Sequence, residues 1–195
     1  RCGCEVSDLG IVPDRRDATI DALRGASAQN DLILTSGGVS VGEEDHIKPS
    51  VEQLGSLDLW QIAMKPGKPF AYGRVRSTGS GQEAFAHFLG LPGNPVSCFI
   101  TFLLLGRPFL LKLQAARLSS PGMPLRADFD WKADKRREFL RVRRNAEGGL
   151  DLFPNQSSGV LTSTVWCDGF VDNPAGQAIQ RGDTVRFLSL SDLLA

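Results

Sequence analysis

The sequence predicts an α/β layer structure followed by a small all-β region, and two observations carry that prediction. Up to about residue 117, short apolar runs alternate with helix-period segments across glycine- and proline-bearing turns, the pattern of a parallel sheet with helices layered on it. Beyond the linker-like "SSPGMP" (Ser119 to Pro124) the runs become short and strand-like, at Leu125–Phe129, Glu138–Arg143, Leu150–Phe153 and Thr184–Leu190. Glu147-Gly148-Gly149 and Arg181-Gly182-Asp183 punctuate them as turns. The expected division is therefore residues 1–117 and 118–195.

The elements follow in order. After the short apolar segment Leu9 to Val12, the stretch from Asp17 places Ile20, Leu23 and Ala26 on one helical face. Leu32-Ile33-Leu34-Thr35 is a continuous apolar run, as in a buried parallel strand. A helix is expected from about His46 to Leu54, with Asp45 able to cap it and Pro49 in its first turn, where a missing N–H does no harm. Leu57 to Met64, Phe70 to Val75 and Ala84 to Leu91 read as strands. "KPGKP" forms the rigid turn between the first two, and Arg76 to Gln82 forms a Ser/Gly hairpin loop before the third. Val96 begins a very apolar helix reaching about Leu113, which Pro108 should kink or divide.

Composition excludes more than it assigns. The 195 residues carry 22 basic and 22 acidic side chains, so no global charge argues for nucleic acid or an anionic membrane. Four cysteines (Cys2, Cys4, Cys98 and Cys167) are too few and too scattered for a disulfide framework, and Cys2-Gly3-Cys4 has no second Cys/His pair near it. The longest apolar run, Val96 to Gly106, is too short to span a bilayer. The expectation is a cytoplasmic protein with no nucleic-acid or membrane partner.

Four stretches bear chemistry. "SGGVSVGEEDH" (Ser36 to His46) leaves the strongest strand through Gly37 and Gly38. Backbone N–H groups in such a loop can gather round an anion, with the hydroxyls of Thr35, Ser36 and Ser40 beside them. An ordinary strand-to-helix turn accounts for the spacing as well. Glu43, Glu44 and Asp45 suit a helix start, or Asp45 suits Mg²⁺, which favours one or two carboxylates plus substrate phosphates. Lys65-Pro66-Gly67-Lys68-Pro69 holds two ammonium groups on a proline-stiffened loop, as counter-charges for a polyanion would be held. Pro92-Gly93-Asn94-Pro95 is a second glycine-bearing turn into a helix; Gly93 and Asn94 tolerate left-handed conformations, and Pro95 suits a first helical position. Two such turns at one carboxyl edge make the crevice where α/β sheets bind ligands. The basic cluster Lys135-Arg136-Arg137 with Arg141, Arg143 and Arg144 reads mostly as a charged outer strand face, with Arg137, Arg141 and Arg143 on one side by parity. His46 and His87 stand apart in the sequence, and no Ser-His-Asp spacing is present.

"DLILTSGGVSVGEEDH", "KPGKPFAYG" and "GLPGNPVS", in this order, resemble the molybdopterin molybdenumtransferases, the MoeA proteins and the E domain of gephyrin. The likeness covers most of residues 8 to 113 and continues more weakly through "REFLRVRRNAEG" and "PNQSSGVLTS". The resemblance implies a three-layer molybdopterin-binding α/β domain and a small barrel-like β-domain. It implies insertion of molybdate into adenylated molybdopterin with Mg²⁺ taking part and AMP released. It also implies a small-molecule substrate, a homodimer and an upstream molybdopterin adenylyltransferase as partner. Carried over by position, Asp14, Asp45, Lys65 and Lys68 are its catalytic matches, with Asp45 on the metal. Ser36, Gly37, Gly38 and Ser40 match the pterin-phosphate loop, Pro92, Gly93, Asn94 and Pro95 the second binding turn, and Arg141 and Ser158 positions in the tail. The family's "TGDEL"-like opening of this domain is missing, so the chain reads as a C-terminal fragment whose own activity and dimerisation depend on more chain. The other functions open to these residues are a MogA-like molybdopterin adenylyltransferase and a non-catalytic scaffold that keeps the pterin-domain fold.

Overall fold

The computed structural model describes residues 2–39, 46–77, 84–117 and 122–195. Its elements run α1 (Arg16–Gln29), β1 (Leu32–Ser36), α2 (Ile47–Leu54), β2 (Gly55–Trp60), β3 (Met64–Lys65), β4 (Ala71–Arg76) and β5 (Phe85–Leu91), then α3 (Pro95–Thr101), a π-helical stretch (Phe102–Gly106) and α4 (Arg107–Leu113). There follow β6 (Met123–Arg126), β7 (Arg137–Arg144), β8 (Leu150–Leu152), α5 (Thr162–Trp166), β9 (Gly169–Asn173), β10 (Thr184–Ser189) and α6 (Leu190–Leu194). They form two units, one holding Gly3–Ile62 and Gly67–Gly93, the other Cys2, Ala63–Pro66 and Asn94–Ala195. The helices α3 and α4 thus fall in the same unit as the β-rich tail.

In the first unit α1 forms where the apolar period places it. Leu23 and Ala26 are buried, and Asn30 ends the helix by donating from Nδ2 to the Ala26 carbonyl at 2.9 Å. These residues pack with Val51 of α2 and with Ile33, Ala71, Val75, Ala86 and Phe88 of a four-stranded sheet ordered β1-β5-β4-β2. The sheet is mixed, where the alternating pattern implied a parallel one. Only β1 and β5 run parallel; β5–β4 and β4–β2 are antiparallel. The cause is the connections, because the links from β2 to β4 and from β4 to β5 are too short for the crossover that parallel neighbours need. β1 is also an edge strand rather than a buried one, and its Leu34 stands 43% exposed. The α2 helix begins at Ile47, with Pro49 harmless in its first turn as expected. Asp45, its expected cap, lies outside the described residues, and His46 occupies the cap position.

Pro95 to Leu113 is one continuous helical run of 19 residues. Pro108 does not divide it. A proline lacks the N–H that an α-helix needs, and the preceding turn shifts to π register, with the Arg107 N–H bonded to the Phe102 carbonyl five residues back. By length and composition this helix is sufficient to cross a membrane, a test that core helices also pass, so the expectation drawn from Val96–Gly106 alone was too short.

In the second unit the strands run β3-β7-β9-β10-β6, with β8 on β7; all pairings are antiparallel except β3–β7. A bridge from Ala127 to Leu150 brings the chain just after β6 onto β8, so β6-β10-β9-β7-β8 close on themselves. Ala127, Phe129, Leu140, Val142, Leu150, Val171, Ile179, Val185 and Phe187 fill the interior. β9, "GFVDN", was not expected, because Gly, Asp and Asn read as turn residues. It is buried throughout, and its polar groups are answered: Arg137 and Arg186 bind the Asp172 carboxylate, and Asn173 donates to the Gln177 carbonyl at 2.9 Å.

Candidate functional site

The two glycine turns meet. β1 and β5 pair in parallel with Ser36 opposite Leu91, so both strands deliver their carboxyl ends to one edge. The Gly37 N–H donates to the Leu91 carbonyl at 2.9 Å, and a Cβ on Gly93 would lie 3.4 Å from the Gly37 Cα. Gly37 (φ +96°) and Gly38 (φ +66°) occupy left-handed backbone that other residues avoid. A side chain on Gly38 would also strike the Ile47 side chain, with a Cβ only 2.6 Å from its Cγ1. Ser36 and Gly38 are exposed at the rim, Gly93 is exposed beside them and Pro92 is buried. Ser40 and Asp45 lie outside the described residues. Neither Gly93 nor Asn94 takes a left-handed conformation; Asn94 is extended (φ −72°, ψ 124°), and a Cβ at Gly93 would touch Gly37 at about ordinary contact distance. Pro95 takes the first helical position of α3 as expected, and the Asn94 Oδ1 is buried without a partner among the described residues. Asp14 is exposed at the bend ahead of α1.

The two lysines of "KPGKP" have different surroundings. Lys68 is exposed, and its carbonyl accepts from the Ile62 N–H at 3.0 Å. Lys65 lies on β3, which pairs with β7 so that Lys65 stands opposite Glu138. Its Nζ is 2.9 Å from Glu138 Oε1 and 3.1 Å from Asp134 Oδ2. Glu138 is 1% exposed, and its other oxygen accepts from Trp131 Nε1 at 2.7 Å. The approach to Oε1 is off the hydrogen-bonding direction, so that contact is one of charge. Burial of the ammonium opposes its charge, but Glu138 and then Asp134 outweigh burial and hold the Lys65 pKa above its ordinary value. Arg136, then Lys65, hold the Asp134 carboxyl well below the usual carboxylate range.

Arg141 sits further along the same strand and is fully buried. Parity put it on an outer face with Arg137 and Arg143. Instead β7 is buried on both sides from Glu138 to Val142, because α5 packs against it. Arg137 pairs with Asp172, and Arg143 lies over the Trp166 ring at 4.5 Å. Among the described residues the Arg141 guanidinium bonds neutral oxygens: Nε donates to Ser163 Oγ at 3.3 Å and Nη2 to the Ser157 carbonyl at 3.2 Å. Nη1 has no partner among the described residues. Burial pulls its pKa down to about 10, with Cys167 acting the opposite way. Gln156 bridges the same residue by accepting from the Arg141 N–H and donating to its carbonyl, both at 3.0 Å. Ser158, two residues on, is half-buried. Glu138, Trp131, Gln156 and Ser163 escaped the sequence reading, since each acts through a partner distant in the chain or through a fold contact. Among the described residues no group of three His, Cys, Asp or Glu side chains is placed to hold a metal.

Comparison with known proteins matches residues 1–112 to a probable molybdopterin binding domain and residues 124–190 to the MoeA C-terminal region, domain IV. The chain is 47% identical over 114 residues to a molybdopterin molybdenumtransferase of Haemophilus influenzae, covering 58% of this chain and 26% of that protein. It is 32% identical over 179 residues to the Synechococcus elongatus protein of the same name, covering 91% of this chain and 43% of that one. The chain thus spans less than half the length of these relatives. A solved molybdenum cofactor biosynthesis protein from Pyrococcus furiosus shares the fold, with a TM-score of 0.70 at 24% identity over 92% of this chain and 56% of its own. With a probable molybdopterin-binding domain over residues 1–112, more than half of its length, and a MoeA C-terminal region after it, the chain belongs to the MoeA family.

Proposed function

We propose that this protein acts in molybdenum cofactor synthesis, inserting molybdate into adenylated molybdopterin with release of AMP. The observation that carries the reading is Arg141, a buried guanidinium that among the described residues bonds no carboxylate and keeps one nitrogen unpartnered, in a chain of the molybdopterin-binding family. Burying an unpaired charge costs several kcal/mol, roughly, and an oxyanion that arrives with substrate offsets that cost. Molybdate fits in charge and in its ring of acceptor oxygens.

In this reading Arg141 and Ser158 orient the oxyanion. Gly37 and Gly38, with Ser36, Ser40 and the Pro92–Pro95 turn, receive the anionic end of the pterin through backbone N–H groups and hydroxyls. Lys68 adds an exposed ammonium, and Asp14 and Asp45 supply carboxylates. Mg²⁺ belongs to the proposal through Asp45 alone; among the described residues no three His, Cys, Asp or Glu side chains cluster to hold it. A division at 117/118 into a pterin-binding domain and a C-terminal β-domain, a homodimer, delivery by a molybdopterin adenylyltransferase and a cytoplasmic setting complete the reading. A MogA-like adenylyltransferase is not favoured, because residues 124–190 match the MoeA C-terminal region. The test is product formation: with adenylated molybdopterin, Mg²⁺ and molybdate, the full-length protein should activate an added molybdenum-free molybdoenzyme. Failure to activate it, with the substrate intact at the end, overturns the proposal in favour of a binding or scaffolding role.

A further inference from the structure

We infer that Lys65 is a positioning residue, its ammonium committed to the buried Glu138 carboxylate and to Asp134, so that of the two lysines in "KPGKP" only Lys68 faces the substrate anion. The inference rests on the molybdate-insertion reading for the word "substrate", and on geometry for the rest.

The sequence treats the two lysines alike, and the fold separates them. Glu138 is 1% exposed on a central strand, and a carboxylate so placed needs a cation. Its two oxygens are divided between Trp131 Nε1 at 2.7 Å and Lys65 Nζ at 2.9 Å. The ammonium, on a side chain 37% exposed, is flanked by Asp134 Oδ2 at 3.1 Å and by the Trp131 ring, whose centroid is 5.9 Å away. With Arg136 on the outer carboxylate, the two cations and two carboxylates cancel and leave no positive surplus for an incoming dianion. The backbone repeats the attachment: Lys65 is in register with Glu138, and the Arg137 N–H donates to the Ala63 carbonyl at 3.1 Å. Pro66 and Gly67 follow Lys65 directly, both buried, and Lys68 is the first exposed residue after them. Fixing Lys65 on β7 therefore fixes the start of the turn that presents Lys68. Glu138 joins it as a second positioning residue, and Arg136, bonded to Asp134 at 3.2 Å, steadies the outer carboxylate.

The test is rescue by neutralisation. Lys65→Met leaves the Glu138 carboxylate buried without its cation, so the melting temperature should fall by about 5 °C or more. The KM for molybdate, measured well below that temperature, should rise by about threefold or more as the turn loosens. Adding Glu138→Gln removes the stranded charge and keeps the acceptor for Trp131. The double variant should recover most of the melting temperature and return the KM to within about twofold of the parent. Lys65→Arg, which keeps the charge, guards against a variant that fails to fold and should hold both values near the parent. If the double variant regains its melting temperature while molybdate-dependent turnover stays lost, Lys65 touches the anion and the inference is overturned. It is also overturned if Lys65→Met melts like the parent. Should the unaltered protein show no molybdate-dependent turnover, the functional reading fails by itself. The melting temperatures of the single and double variants then still decide the clasp, recovery supporting it and its absence overturning it.

Discussion

Arg141→Met separates a structural arginine from one held for a ligand. Methionine fills a similar volume without charge. The depression of the guanidinium pKa from 12.5 to about 10 by burial corresponds to roughly 3 kcal/mol against the charged form in the fold. Against that relief stand two hydrogen bonds to neutral oxygens, to Ser163 and Ser157, contributing about 1.5 kcal/mol each at the low end for a charged donor. Ser163 is not stranded by the change, since its hydroxyl already donates to the Val160 carbonyl at 2.6 Å. The two effects nearly cancel, so the melting temperature should move by no more than a few degrees. Binding of molybdate, followed by calorimetry at low salt, should weaken by about tenfold or more, the loss expected for one charge-assisted contact. A variant that loses more than about 10 °C of melting temperature and binds molybdate as the parent does would show that Arg141 holds the fold and nothing else.

Three further outcomes follow from the geometry. Gly38→Ala should lower the melting temperature and weaken pterin binding, because the position needs φ +66° and a Cβ there meets Ile47 Cγ1 at 2.6 Å; trimming Ile47 to Ala in the same chain, which removes Cγ1, should relieve only part of the loss, leaving backbone strain of order 1 kcal/mol, and full recovery would exclude backbone strain as the cause. Cys167 is buried and its thiol is pushed up to about 11 by burial, so a thiolate-selective alkylating reagent at neutral pH should label it only after denaturation, and rapid labelling in the native protein would contradict that placement. Asp134 is held below the ordinary 3.8 by Arg136 and Lys65, so its stabilisation is complete above about pH 4 and is lost as pH falls toward the folded-state value; Asp134→Asn should flatten the loss of stability below pH 4, and an unchanged acid limb would refute the ion pairs.

Local chemistry made much of this chain legible. Pro95 opening a helix and the period of α1 are short-range facts, and they come out as expected. The meeting of Gly37 with Gly93 needed one further assumption, that both strands end at one edge, and the β1–β5 pairing supplies it. What could not be read is non-local. Glu138 is 73 residues from Lys65 in the chain, and no pattern within β7 marks it as that lysine's partner. Alternation failed for Arg141 because it assumes one wet face, while α5 covers that of β7 and leaves the strand dry on both sides. β9 hides behind turn-forming residues whose polar groups are met only in the folded sheet. The mixed order of the first sheet follows from loop lengths, which the alternation of elements does not encode.

The most direct measurement of the central claim is AMP release from adenylated molybdopterin, followed with and without molybdate at fixed Mg²⁺. Insertion of molybdate predicts AMP release that rises and saturates with molybdate, one AMP for each cofactor formed, and that falls steeply in Arg141→Met while adenylated pterin still binds. AMP released at the same rate without molybdate, or a rate indifferent to the loss of the Arg141 charge, would contradict the account.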